Sequence, residues 1–160
     1  KKNIQDLSGS YDCILLNHSF EHMPDPHKSM HELSRLLASD GHLLIRTPVS
    51  NTYAWRTYGS NWVQLDAPRH LFLYSQEAMI FLCQSNDLVV ELIEYDSNEF
   101  QFWGSEQYQY DISLSSNKSW ENNPSISLFT NENIKSYQKK AKELNKSHNG
   151  DQACYYIGKK

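Results

Sequence analysis

An α/β fold is predicted for this chain on three observations. Strand-like and helix-like segments alternate, the two strands around the first helix are apolar throughout, and the joints between them are short. Residues 11–16 (Tyr-Asp-Cys-Ile-Leu-Leu) form a short, nearly continuous apolar run, the pattern of a strand buried on both faces. A helix follows with both ends marked. Asp25 can cap it, Pro26 suits its first turn, and Asp40-Gly41 offers a left-handed stop. Met30, Leu33, Leu36 and Leu37 fall on one face at helical spacing. Residues 42–47 read as a second buried strand, closed by Pro48. Strand, helix and strand make a βαβ unit, so the two strands are expected to run parallel with a right-handed crossover.

The next unit is a helix capped by Ser75, broken at Asn86-Asp87, and followed by a strand over residues 88–93. Residues 131–147 carry Ile134, Tyr137, Ala141 and Leu144 as an apolar stripe, with Asn149-Gly150 ending the helix. Residues 153–157 read as a last strand. Between residues 97 and 150 the share of Asn, Ser and Gln rises to 22 of 54, against 19 of the first 96. This part is expected to be a polar, partly helical insertion, with five aromatics up to Tyr110 forming a docking helix or a flap.

Composition excludes several classes. Fifteen Lys and Arg stand against nineteen Asp and Glu, a net charge of −4, which is a poor footprint for a nucleic-acid binder. No apolar run approaches the ~20 residues of a membrane span. The opening residues lack the apolar core of a secretory signal, and three separated cysteines (Cys13, Cys83, Cys154) suggest neither a disulfide framework nor a Cys-based zinc site. A reducing, cytoplasmic setting is expected.

Ligands of open α/β sheets bind beyond the carboxyl ends of the strands. Two polar loops lie there, one from Asn17 to Pro26 and one from Thr47 to Tyr53. His18 and His22 are four residues apart, as are His27 and His31, but Pro24 and Pro26 prevent a common helix and no HExxH occurs, so no metal is expected. Glu21 reads equally well as a residue that contacts a ligand or orients His22, or as a charge favoured at a helix N-terminus. His70, in the loop with Trp62 and Arg69, has the chemistry of a general base near neutral pH, or of a residue that pins the loop. The six glycines build neither a P-loop nor a Rossmann fingerprint, and no G-x-S-x-G elbow is present.

Together these residues resemble a known family. Asn17-His18-Ser19-Phe20-Glu21-His22-Met23-Pro24-Asp25-Pro26 after an apolar strand, Asp40-Gly41-His42-Leu43-Leu44-Ile45-Arg46-Thr47-Pro48, and Pro68-Arg69-His70-Leu71-Phe72-Leu73-Tyr74-Ser75 are similar to the C-terminal half of class I S-adenosylmethionine-dependent methyltransferases, in their small-molecule branch. The likeness covers residues 10–96 and 150–158. It implies a partial Rossmann-like sheet, strands four to seven of seven, with residues 97–149 inserted before the last strand. That strand would lie antiparallel between the fifth and the sixth. The whole is one partial domain.

The resemblance implies S-adenosylmethionine as cofactor, touched by Asn17, His18, Ser19, Phe20 and His22 after the fourth strand. Glu21, Tyr53, Trp62 and Arg69 would line a small-molecule methyl acceptor, with His70 accepting its proton. The family's glycine-rich loop and ribose-binding acid are not in this sequence. With a start at Lys rather than Met, the chain is expected to be the C-terminal part of a longer enzyme, inactive alone, and to dimerise through the sheet edge left open. The other reading is a non-catalytic, degenerate half that serves as an interaction module.

Overall fold

The computed structural model describes residues 3–160. The chain divides into two compact units. One comprises residues 1–50, 68–94 and 153–160, and the other residues 51–67 and 95–152.

The first unit holds a four-stranded sheet. Its strands are β1 (Tyr11–Asn17), β2 (Leu37–Pro48), β3 (Leu88–Tyr95) and β4 (Gln152–Lys159), in the spatial order β1-β2-β4-β3. The last strand in sequence thus lies between β2 and β3, as the resemblance implied. β1 and β2 run parallel, with Cys13 opposite His42 and Asn17 opposite Arg46. Helix α1 (Pro26–Leu36) connects them and packs on β2. Asp25 caps it by accepting the Lys28 amide at 3.0 Å, and Met30, Leu33 and Leu36 are its buried face. Two more helices take the labels α2 (Tyr53–Tyr58) and α3 (Gln76–Gln84). The Ser75 hydroxyl accepts the Ala78 amide at 3.2 Å and starts α3 as expected.

The end of α1 differs from the expectation. The helix stops at Leu36, and Asp40-Gly41 lies inside β2. The register jumps there, one residue of β1 (Asp12) standing against four of β2, so residues 38–41 bulge. Gly41 serves close approach rather than left-handed geometry. A Cβ at Gly41 would come within 2.9 Å of the Tyr11 carbonyl oxygen.

β1 is also less buried than its sequence predicts. Leu16 is buried, but Tyr11, Cys13, Leu15 and Asn17 on the other face are exposed, Leu15 at 65%. β1 stands at the edge of the sheet, with β2 as its one strand partner among the described residues, and the face that carries Leu15 is left uncovered. An apolar groove of about 240 Å³ runs along this edge, lined by Ile4, Leu7, Tyr11, Cys13, Leu15 and Leu36 among others.

In the second unit α2 accompanies α4 (Phe100–Gln109) and α5 (Asn131–Lys146). The aromatic segment is a docked helix. Phe102 and Trp103 are buried, and Trp103, Phe129 and Ile134 form a core cluster flanked by Phe100, Trp120 and Tyr137. α5 ends at Lys146, and His148 takes the left-handed turn expected of Asn149-Gly150. Gly150 is instead required by crowding, since a side chain there would run into Asn145 and Ser97.

Candidate functional site

The loops that leave β1 and β2 at their carboxyl ends meet around one carboxylate. After Asn17 the chain turns sharply. His18 adopts φ 45°, a left-handed conformation that costs energy for a residue with a Cβ. Its amide donates to the Arg46 carbonyl at 2.9 Å, which ties the turn to β2. Residues Phe20–His22 then form a single 3-10 turn. Phe20 is fully buried against Tyr74, ring centroids 5.3 Å apart, and anchors the turn. This places the Glu21 side chain inward, completely shielded from solvent.

Glu21 is not a solvated helix charge. The Thr47 hydroxyl, itself buried at the end of β2, donates to Glu21 Oε2 at 3.1 Å. His18 Nδ1 lies 3.4 Å from Glu21 Oε1, and His70 Nε2 lies 3.9 Å from the same atom. Neither contact is aligned as a hydrogen bond, so Oε1 is a buried acceptor without a hydrogen-bond partner. Burial works against the charge of Glu21. The His18 side chain, the backbone amide and Thr47 outweigh it and hold the carboxyl below its ordinary pKa, so it is ionised at neutral pH. The Glu21 backbone carbonyl receives the amides of Leu71 (2.9 Å) and Phe72 (3.2 Å), and this brings the His70 loop to the first loop. The Tyr74 hydroxyl is buried without a hydrogen-bond partner, and burial, with the Glu21 charge second, pushes its pKa up.

Two of the histidines have assignable tautomers. His22 Nδ1 is 2.7 Å from the Arg69 carbonyl oxygen. A carbonyl only accepts, so Nδ1 carries the proton and Nε2 keeps a lone pair when the ring is neutral. His18 Nε2 is 3.1 Å from Arg46 Nη1, which only donates, so His18 carries its proton on Nδ1 toward Glu21. Arg46 Nη1 also reaches Asn17 Oδ1 at 3.3 Å. The rings of His22 and His70 lie 4.9 Å apart at 53°.

The first unit therefore brings together Asn17, His18, Glu21, His22 and His70, with Arg69 contributing its backbone carbonyl. Ser19 lies half-buried at the start of the 3-10 turn. Tyr53 and Trp62 belong to the second unit. Trp62 is fully buried there, and its indole N–H donates to Asp151 Oδ2 at 2.9 Å. Tyr53 accepts a hydrogen bond from Lys140, whose ammonium also sits 4.1 Å from the Tyr53 ring centroid. The Lys140 bond is the main cause that lowers the pKa of Tyr53. Thr47, Arg46 and Tyr74 were not singled out from the sequence. The one available signal was a polar Arg46-Thr47 pair closing an otherwise apolar strand.

The cofactor implied by the resemblance fits this chain only along one edge. Asn17, His18 and Ser19 offer polar groups beyond β1, and Phe20 supports them from beneath. The described residues hold no glycine-rich cradle, and β1, an edge strand, carries exposed Leu15 and Cys13 on one face.

A family model described as a methyltransferase domain matches residues 1–93. A comparison with curated proteins gives no match. Among solved structures, a SAM-dependent methyltransferase of Thermotoga maritima is similar over 99% of this chain and 62% of its own, at 16% identity and a TM-score of 0.56. Geranyl diphosphate C-methyltransferase of Streptomyces coelicolor A3(2), solved with Mg2+, geranyl diphosphate and S-adenosyl-L-homocysteine, aligns over 99% of this chain and 52% of its own, at 15% identity and a TM-score of 0.56. Mitomycin 7-O-methyltransferase aligns over 98% of this chain and 32% of its own, at 11% identity and a TM-score of 0.53. The chain thus spans between 32% and 62% of the length of these three, and at such identities the likeness is one of fold. Because the family model covers more than half of the sequence, and the sheet has the fold of these enzymes, the chain belongs to the methyltransferase-domain family.

Proposed function

We propose that this chain is the C-terminal part of an S-adenosylmethionine-dependent enzyme that methylates a small-molecule acceptor. The observation that carries the reading is the state of β1. The strand whose carboxyl end leads into the Glu21 cluster has an open edge and an exposed apolar face, Tyr11, Cys13 and Leu15. Strands preceding it in a longer chain would pair with that edge, the helices that connect them would cover Leu15, and the glycine-rich loop that the cofactor requires would come with them. When bound, the cofactor supplies a sulfonium methyl group.

This chain's residues would do the rest. Asn17, His18, Ser19 and His22 border the cofactor, with Phe20 holding their loop. Glu21 and Arg69 border the acceptor, and His70 accepts its proton. Trp62 supports the second unit from its core. Three cysteines outside any disulfide suit a cytoplasmic setting, and no described helix is long and apolar enough to cross a membrane. Without a preceding segment, the β1 edge would pair with a second copy of the chain.

Calorimetric titration of S-adenosylhomocysteine into this chain, and into a chain extended at its N-terminus, tests the reading. Binding by the extended chain alone is the expected result. Binding by this chain alone would require another cofactor site. Binding by neither would overturn the enzyme reading in favour of an interaction module.

A further inference from the structure

We propose that Glu21, His22 and His70 form a site for a first-row divalent cation. One ligand atom from each of the three lies within 4.8 Å of the others, in one compact cluster. Sequence spacing gave no hint of it, because the pairing that counts is not His18 with His22 but His22 with a residue forty-eight positions further on. The Glu21 backbone carbonyl, holding the amides of Leu71 and Phe72, is what delivers His70.

Two independent observations point to a ligand. The first is Glu21 Oε1, a fully buried carboxylate oxygen that no aligned hydrogen bond reaches, with His18 Nδ1 at 3.4 Å and His70 Nε2 at 3.9 Å. Its lone pairs are left open toward the cluster, and a cation can take them up. The second is the tautomer of His22. Its Nδ1–H is committed to the Arg69 carbonyl, the arrangement that orients metal-binding imidazoles and presents the Nε2 lone pair. Thr47 plays the corresponding part for the carboxylate, fixing Oε2 and leaving Oε1 turned to the cluster.

Ligand atoms on one tetrahedral ion at about 2.0–2.1 Å sit roughly 3.3 Å apart, so a closure of up to about 1.5 Å completes the site. His22 is exposed, and this exposure gives the ion its entry path. Two imidazoles and one carboxylate suit Zn2+ or a neighbouring first-row ion better than Mg2+ or Ca2+. Three protein ligands leave at least one coordination position open, which an acceptor oxygen could occupy. In that arrangement His70 is a ligand, not a free base. This role rests on the function proposed above; cation binding itself does not.

Titration of the purified chain with ZnCl2 by calorimetry, and with CoCl2 by visible absorption, tests the site in the absence of any methyl donor. One equivalent is expected to bind. His22→Ala and His70→Ala should each weaken binding at least about tenfold, a loss already typical for partners one shell outside a metal. His27→Ala, on the exposed face of α1, should leave it unchanged. Because His22 is exposed, its variant is expected to fold even where His70→Ala does not. No saturable binding, or binding lost in His27→Ala and kept in His22→Ala, would overturn the proposal. Either result leaves the methyltransferase reading standing. Cation binding alongside failure of the extended chain to bind S-adenosylhomocysteine would do the reverse.

Discussion

Thr47 and Glu21 meet in a single buried hydrogen bond of 3.1 Å, the carboxyl end of β2 donating to the loop that follows β1. Both side chains are fully inaccessible, so the bond carries the position of the carboxylate and with it the arrangement of His18 and His70. Thr47→Val keeps the shape and removes the donor. A buried carboxylate deprived of a hydrogen bond costs about 1–3 kcal/mol. Urea denaturation should show a loss of that size, and Thr47→Ser should recover most of it. A Thr47→Val protein as stable as the parent would mean that the hydroxyl does not support Glu21.

The same carboxylate makes stability depend on acid. The folded pKa of Glu21 is lowered from an ordinary value of 4.5. Its contribution is therefore complete above that value and is lost as pH falls through the lower, folded one. The parent should lose more stability between pH 7 and strongly acidic conditions than Glu21→Gln, which has nothing to protonate there. Parallel losses in the two proteins would exclude Glu21 as a source of the dependence.

Much of this architecture was legible in the sequence, and what was not has identifiable causes. Asp25 and Pro26 start α1 by local chemistry, and local chemistry is readable. Asp40-Gly41 misled because a bulge and a helix stop use the same residues, and only the neighbouring Tyr11 carbonyl decides between them. The apolar run of β1 was read as a doubly buried strand, yet residues outside the strand decide whether it is covered. Glu21 could not be placed because its burial depends on Phe20 packing against Tyr74, fifty-four positions away. The His22–His70 juxtaposition is likewise tertiary throughout.

Gly41 provides a direct check of the bulge. A methyl group there meets the Tyr11 carbonyl oxygen at 2.9 Å and Leu37 Cδ1 at 3.0 Å. Forcing a group into such a space costs about 1–3 kcal/mol. Gly41→Ala should therefore lower stability in chemical denaturation. Had the residue been a helix stop in open solvent, the substitution would cost little beyond its conformational penalty.

In the second unit the buried Trp62 indole donates to Asp151, whereas Trp55 is 38% exposed beside it. Trp62→Phe removes a charge-assisted bond and part of a packed side chain, so it should cost several times more than Trp55→Phe, by about 2 kcal/mol or more. Thermal or urea unfolding of the two variants measures the contrast. Equal effects would contradict the assignment of Trp62 to the core.

Thiol reactivity reports on β1. Cys83 is buried, and burial pushes its pKa up to about 12, so at pH 8 it is a shielded, protonated thiol. Cys13 is exposed on the open face of β1. Iodoacetamide at pH 8 should label Cys13 in the native chain and leave Cys83 untouched until denaturant is added. If preceding strands complete the sheet, Cys13 should become protected in an N-terminally extended chain, by an amount that peptide mass spectrometry can follow. The same face makes the isolated chain prone to pair with itself, since Leu15 and Tyr11 present apolar surface along an unpaired edge. Leu15→Lys places a charge on that edge and should shift sedimentation toward monomer without lowering stability, because Leu15 is 65% exposed and contributes little to the core. A monomeric parent whose Cys13 stays reactive in the extended chain would show that β1 is a finished edge, and the case for strands beyond it would fall.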